Sequence, residues 1–94
     1  MRRNWALIRE IMLNLEAEKF NFILVYEDPD VFYYHHLLCV DAGYMSRDRD
    51  GMFCLTMKGY DFLELIRDKD GFEWACSISK CTDVIIALLK TRAE

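Results

Sequence analysis

Apolar residues recur at helical spacing at the start of the chain and then give way to an extended run. The pattern predicts a helix over residues 4–18 with Asn4 as its N-cap. The apolar side of this helix falls on Trp5, Ile8, Met12 and Leu15. Residues 20–26 are a run of aromatic and branched side chains, which is typical of a β-strand.

A second helix is marked by sequence signals at both ends. Asp28 is a good N-cap, and Pro29 suits the first helical position because its fixed φ is already helical. The pattern predicts that this helix runs to Ala42, with Gly43 as a C-cap in the left-handed conformation.

The middle of the chain predicts a hairpin that leads into a third helix. Residues 44–49 and 52–55 are expected to pair through a two-residue turn at Asp50-Gly51, which tolerates positive φ. Thr56 is expected to cap the helix that follows.

The last third of the chain is predicted to be helical. Gly71 is expected to end or bend the third helix, and residues 72–77 to add one or two turns. Residues 84–89 predict a compact apolar helix capped by Thr82. The prediction is therefore one α+β domain over residues 1–94: helix, strand, helix, two-stranded wing, helix and C-terminal helix. The first strand is expected to join the wing in a small three-stranded antiparallel sheet.

Composition narrows the function classes. The chain has 94 residues, 53% of them apolar, a net charge of -4 and a pI of about 5.1. An acidic chain is poorly suited to binding phosphates.

No apolar run is long enough for a membrane span or a signal peptide, so we expect a protein of the bacterial cytoplasm. In that reducing setting the cysteines are expected to be buried apolar groups: Cys39, Cys54, Cys76 and Cys81.

Three short pieces of the chain resemble one family. They are Met1-Arg2-Arg3 with Leu7-Ile8-Arg9, the helix end from Tyr34-His35 to Ala42-Gly43, and Leu55-Thr56-x-x-Gly59-x-x-Phe62-Leu63 leading to Ile66-Arg67-Asp68. Over residues 1–68 they resemble DUF2513, a family of small phage and prophage proteins without an established activity. The chain departs from the family after Asp68, and its wing is short. The resemblance implies a winged-helix-like fold and an origin in a mobile element.

The second helix lies where a winged-helix protein would place its recognition helix, but its charges oppose that role. Residues 20–46 contain four carboxylates and no Lys or Arg. Only one helix of about 20 Å fits between Asp28 and Gly43, at about 1.5 Å per residue. Base reading requires Arg, Lys, Asn or Gln at the groove, so major-groove docking is disfavoured.

Two basic groups remain for a nucleic-acid reading. Arg47 and Arg49 alternate with aspartates on the wing and are expected to share one face of a strand. They would contact phosphates or an acidic partner, or else form a self-neutralising hairpin tip. Arg2 and Arg3 form a looser basic group near the N-terminus.

The second helix has apolar and aromatic residues on two sides. Helical spacing sends His35 with Val31 and Leu38 to one side, and His36 with Tyr33 and Leu37 to the other. A domain of this size has little material to cover both sides, so either an aromatic face stays exposed or the helix is buried all round.

The metal and catalytic readings lack a complete motif. His35 and Cys39 have helical ligand spacing but stand as a lone pair, and Cys76 and Cys81 are five residues apart. Core thiols and a hydrogen-bonded core histidine are the preferred interpretation. Asp61 and Glu64 are expected on a solvated helix face. We expect no enzyme activity, no metal and no cofactor.

The sequence thus predicts a non-catalytic, phage-type interaction module, with inhibition of a host or defence protein as one instance. It would bind a host protein, or a second copy as a homodimer, through the acidic aromatic helix at Asp28, Asp30, Tyr33, Tyr34, His36 and Leu37. The alternative is a winged-helix transcriptional regulator that contacts DNA through Arg2, Arg3, Arg47 and Arg49.

Overall fold

A computed structural model describes residues 3–17 and 28–93. This part of the chain is α+β, with five helices and a two-stranded antiparallel sheet. The elements are α1 (Trp5–Glu16), α2 (Pro29–Asp41), β1 (Met45–Arg47), β2 (Phe53–Leu55), α3 (Met57–Ile66), α4 (Lys69–Ile78) and α5 (Thr82–Ala93). The strand predicted over residues 20–26, and with it the third strand of the sheet, lies outside the described residues. The chain divides into two compact units, residues 1–60 and 61–94.

The ends of α1 and α2 follow the predicted capping chemistry. Asn4 Oδ1 accepts a hydrogen bond from Leu7 N at 3.1 Å, and Asp28 Oδ1 accepts one from Val31 N at 3.1 Å. Each side chain thus satisfies a backbone N–H that has no partner inside the helix.

The end of α2 confirms Gly43 as the residue that reverses the chain. Gly43 has φ +83, and its N–H donates to the carbonyl of Val40. Tyr44 N–H reaches back to the carbonyl of Cys39 at 2.9 Å. These two bonds form a Schellman motif, which satisfies the last carbonyls of the helix and directs the chain into β1.

The hairpin forms where it was predicted, but its turn is longer. Arg47 pairs with Phe53, and Asp48 N–H donates to the carbonyl of Met52, so three residues form the loop instead of two. Asp48 Oδ1 accepts from the N–H groups of Asp50 and Met52. Because the Asp48 carboxylate holds the loop from its start, Gly51 takes the left-handed position alone, with φ +79.

Thr56 caps α3 as predicted, and α3 then begins in close contact with the end of α2. Thr56 Oγ1 accepts from Gly59 N at 3.0 Å and donates to the carbonyl of Gly43. A Cβ atom on Gly59 would lie 2.0 Å from the carbonyl oxygen of Tyr44. Only glycine leaves room for this approach.

The prediction that Gly71 ends or bends α3 is wrong. The helix ends at Ile66, because the chain is extended at Asp68 with ψ 104, and α4 starts directly after it. Gly71 is a buried residue in the first turn of α4. The last helix begins at Thr82, with the carbonyl of Cys81 accepting its first hydrogen bond, so Thr82 is the first helical residue and not the cap.

Each unit has its own packing. In residues 1–60, α1 packs on α2 and β2, and α2 packs on β1. In residues 61–94, α4 packs on α5. The buried apolar side chains of the first unit are Trp5, Ile8, Ile11, Met12, Cys39, Tyr44 and Met45, and those of the second are Phe62, Leu63, Ile66, Phe72, Ala75, Cys76, Ile85 and Leu89.

Two predictions about membranes and thiols can be compared with this structure. Among the described helices none has the length and apolar character needed to cross a bilayer.

The expectation that all four cysteines are buried is wrong for two of them, since Cys54 and Cys81 are exposed. Cys54 alternates outward on a three-residue strand, and Cys81 lies in the turn before α5.

Candidate interaction surface on helix α2 and the hairpin

One side of α2 meets the hairpin through a row of aromatic rings. The Phe32 and His36 centroids are 4.4 Å apart, and His36 lies 4.8 Å from Phe53 of β2. Tyr33 stands edge-on to Phe53 at 6.4 Å. The row runs from a half-buried helix side to an exposed tyrosine at its outer end.

Arg47, on strand β1, packs against the Phe53 and Tyr33 rings of this row. Its guanidinium carbon lies 4.8 Å from the Phe53 centroid and 5.5 Å from the Tyr33 centroid. Arg47 Nη2 also donates a hydrogen bond to the Tyr33 hydroxyl. The cation therefore stacks on both rings, an arrangement that orders all three side chains at the surface.

We call Tyr33, Leu37, Arg47 and Phe53 the aromatic surface. Tyr33 is 48% exposed, and Leu37, one helical turn further along α2, is 38% exposed. Phe53 is half-buried, and Arg47 is exposed. Tyr33 and Leu37 were predicted to lie on the partner-binding face, and both are open to solvent.

His36 does not lie on that face, although it was predicted to. It is 8% exposed and packed between Phe32 and Phe53. Its Nδ1–H donates to the carbonyl of Phe32 at 2.9 Å. Burial, opposed in part by this backbone hydrogen bond, lowers the pKa of His36 below its usual value, so the ring is neutral at physiological pH. It supports the aromatic surface from beneath.

The other predicted contact residues lie around the aromatic surface in different ways. Tyr34 is half-buried and stands edge-on to His35, with ring centroids 5.4 Å apart. Asp28, the N-cap of α2, and Asp30, in its first turn, are both exposed. Asp28 also caps the helix, whereas Asp30 has no structural bond among the described residues. Asp30 is thus the acidic residue whose charge can be changed with the least structural cost.

His35 is a core histidine with both ring nitrogens in hydrogen bonds, as predicted. It is 1% exposed. Its Nδ1–H donates to the carbonyl of Val31 at 2.7 Å, and its Nε2 accepts from Asn4 N–H at 2.8 Å. A nitrogen that accepts from a backbone N–H has no lone pair left for a metal, so His35 is excluded as a ligand in this fold.

The two buried thiols, Cys39 and Cys76, are poorly suited to act as nucleophiles or metal ligands. Burial raises the pKa of Cys39 to about 12, and burial also raises that of Cys76. A thiol that stays protonated at neutral pH is a poor nucleophile and a poor ligand. Across residues 3–17 and 28–93 there is no group of three or more His, Cys, Asp or Glu side chains placed to hold a metal ion.

Three of the four arginines of the DNA-binding alternative lie within the described residues: Arg3, Arg47 and Arg49. Arg2 lies outside the described residues. Arg3 lies 4.7 Å from the Trp5 ring, and Arg47 is stacked on the aromatic surface. Arg49 is exposed in the hairpin loop, since β1 ends at Arg47, so the expectation that Arg47 and Arg49 share a strand face is wrong.

The sequence predicted the helix and the wing as rival binding sites, and it missed that they form one surface. Phe53 was not among the predicted site residues, although it connects α2 to the hairpin. The register that pairs Arg47 with Phe53 places the arginine and the ring next to each other, and this register follows from the hairpin loop. The predicted two-residue turn implies a different register. A predicted three-residue loop would have paired Arg47 with Phe53.

Comparisons with protein-family models, with characterised proteins and with solved structures found no match.

Proposed function

We propose that this chain is a non-catalytic protein-interaction module, winged-helix-like in layout, that binds a partner protein through the aromatic surface. The observation that carries the proposal is the exposed Tyr33, held in place by Arg47 and Phe53. Tyr and Arg are the residue types that concentrate binding energy at protein interfaces. Side chains that are ordered before binding lose less conformational entropy when the partner docks.

Charge around the aromatic surface defines the class of partner. Asp28 caps the N-terminus of α2 and Asp30 lies in its first turn, and α2 has no Lys or Arg. We propose a partner that presents an apolar pocket for Tyr33 with basic residues at its rim. The resemblance to DUF2513 makes a host or defence protein the expected partner, with inhibition as the expected outcome.

A nucleic-acid partner is disfavoured by the same charges. Arg47 and Arg49 alternate with Asp48 and Asp50, and Arg47 is already stacked on two rings. Each phosphate that approached the hairpin would meet a carboxylate beside every guanidinium, which weakens the electrostatic attraction on which DNA binding depends.

The test is affinity capture from bacterial lysate with and without nuclease treatment, followed by titration of the captured protein with purified variants. Tyr33→Ala is expected to weaken binding by about 2 kcal/mol, about thirtyfold. Tyr60→Ala is the matched control, because Tyr60 is 50% exposed but lies on α3 and is not one of the four residues of the aromatic surface. Its affinity should match that of the unmodified chain.

Steering by the acidic turn is tested separately. Asp30→Lys is expected to slow association with a basic partner while leaving dissociation nearly unchanged. Capture that disappears after nuclease treatment, or equal losses from Tyr33→Ala and Tyr60→Ala, would contradict the proposal.

A further inference from the structure

Helix α5 has more apolar surface than its own unit covers. The six residues from Val84 to Leu89 are all apolar, but of these only Ile85 and Leu89 are buried. A helix that is apolar on every side is normally packed on every side. Within the described residues, one apolar face of α5 is left open.

A groove of about 350 Å³ runs along this open face. It is lined by Trp74, Asp83, Val84, Ala87, Leu88 and Thr91. Trp74 is 39% exposed and Val84 is 42% exposed. Ala87 lies near the middle of the face and has the smallest side chain there, so a second helix can approach α5 closely at this point.

The charges beside the groove are arranged in a self-complementary order. Asp83 lies in the first turn of α5 and Lys90 in the last. They are seven residues apart, about 10 Å along the helix, and therefore share one edge of the face. Among the described residues of this unit, the ion pairs join Arg67 to Glu64, Lys69 to Glu73 and Arg92 to Asp68, and include neither Asp83 nor Lys90.

We propose that a second copy of this chain docks antiparallel on the open face of α5. A twofold axis perpendicular to α5 near Ala87 places Asp83 of each copy beside Lys90 of the other, which forms two ion pairs by symmetry. The same operation places Val84 of each copy near Leu88 of the other. The groove thus becomes a helix–helix interface whose margin covers Trp74.

A second copy fits this face better than an unrelated helix, because the charges on the edge of the face are complementary to those of an antiparallel copy. Acidic and basic residues at opposite ends of one edge match only a helix with the reverse order, and an antiparallel copy has that order. The patch is small, so the dissociation constant of the dimer is expected at about 10–100 µM. This inference concerns residues 61–94 and stands independently of the aromatic surface.

Sedimentation equilibrium over about 1 µM to about 1 mM measures the association. The unmodified chain is expected to shift from monomer to dimer, with a blue shift of Trp74 fluorescence as the indole leaves water. Asp83→Lys alone and Lys90→Asp alone each replace two attractions by two repulsions per dimer. Each is expected to weaken association about tenfold.

The decisive experiment mixes these two variants in equal amounts. One chain then carries two cations on the edge and the other carries two anions, so the antiparallel heterodimer regains both ion pairs. The mixture is expected to associate at least as tightly as the unmodified chain. A mixture that associates no better than either variant alone would overturn the antiparallel arrangement.

Two further variants control for folding and for charge. Ala87→Arg keeps a strong helix former at the centre of the face and is expected to leave the chain monomeric with unchanged helical circular dichroism. Asp61→Lys replaces an exposed acidic residue of α3 that does not line the groove, and should leave the dimer unchanged. A monomer at every concentration, or a dimer indifferent to Ala87→Arg, would overturn the proposal.

Discussion

The backbone N–H of Asn4 donates a hydrogen bond to Nε2 of His35 at 2.8 Å. This bond joins the N-cap of α1 to the middle of α2. Asn4 and His35 are 31 residues apart in sequence. The same ring donates from Nδ1 to the carbonyl of Val31, so one buried side chain connects the start of α1 to α2. The ring accepts at one nitrogen and donates at the other, which only the neutral Nδ1–H tautomer can do.

His35→Ala is therefore expected to destabilise the fold strongly. It leaves a cavity in the core and removes the acceptor of the Asn4 N–H, with an expected cost of about 2–4 kcal/mol in the free energy of unfolding. Asn4→Ala is the control, since it keeps the backbone N–H and removes only the cap bond to Leu7, at about 1 kcal/mol. Urea unfolding followed by circular dichroism gives both values. Equal losses from the two changes would contradict the role assigned to His35.

The lowered pKa of His36 predicts a loss of stability in mild acid. The unfolded chain binds a proton at this ring near its usual pKa of 6.5, whereas the folded chain does so only at lower pH. Stability therefore rises with pH across that interval, and this contribution is lost as pH falls below about 6.5.

Unfolding free energies at about pH 7.5 and about pH 5.5 measure this effect. His36→Phe keeps an aromatic ring against Phe53 and cannot be protonated, so the pH dependence should become flatter in this variant. If both proteins lose the same stability between the two pH values, His36 is not the group responsible.

The caps of α1, α2 and α3 were predicted correctly because the signals that define them are local. Asn4, Asp28 and Thr56 each bond to an N–H three residues further along the chain, so nothing distant is needed to recognise them. Gly71 was misread for the opposite reason. The conformation of Asp68 and the packing of α4 on α5 decide its place, and neither can be read from the residues near it.

The surface of α2 could be predicted only in part. Apolar and aromatic residues surround this helix, so the sequence does not tell which side the rest of the unit covers. The structure buries His35 beside α1 and His36 beside Phe53, and leaves Tyr33 outside. The stacking of Arg47 on Tyr33 depends on the hairpin register and on the packing of α2 on β1, which are tertiary properties.

Two glycines in helices are expected to differ in how strongly substitution by alanine destabilises the fold. Gly59→Ala places a Cβ 2.0 Å from the backbone oxygen of Tyr44, which cannot move without disturbing its bond to Thr56 N. We expect a loss of about 2–3 kcal/mol or more, larger than the gain of about 1 kcal/mol in helix propensity. In Gly71→Ala the nearest atom, at 2.8 Å, is the flexible carboxylate of Asp68, so the net change should stay within about 1 kcal/mol. Thermal unfolding distinguishes the two, and a stable Gly59→Ala would refute the close approach.

The four thiols are expected to fall into two classes. Cys54 and Cys81 are exposed, whereas Cys39 and Cys76 are buried with raised pKa values. Alkylation at about pH 8 should modify the two exposed thiols rapidly and the buried pair only after denaturant is added. Mass spectrometry of the modified peptides identifies each site. Rapid modification of Cys39 in the native protein would mean that α2 opens on the timescale of the reaction.

Because Tyr33 contacts Arg47, we expect α2 and the hairpin to be energetically coupled. In a double-mutant cycle of Tyr33→Ala and Arg47→Ala, the coupling in unfolding free energy is expected at about 0.5–1 kcal/mol, because stacking and the hydrogen bond are lost together. Arg49→Ala with Tyr33→Ala is the matched control, since Arg49 lies in the loop outside this contact, and its effects should add. The same cycle in partner affinity should show coupling of the same sign, because Arg47 orders the tyrosine that we propose as the binding residue. If the effects of the Tyr33 and Arg47 substitutions are additive in both measurements, α2 and the hairpin are two independent surfaces.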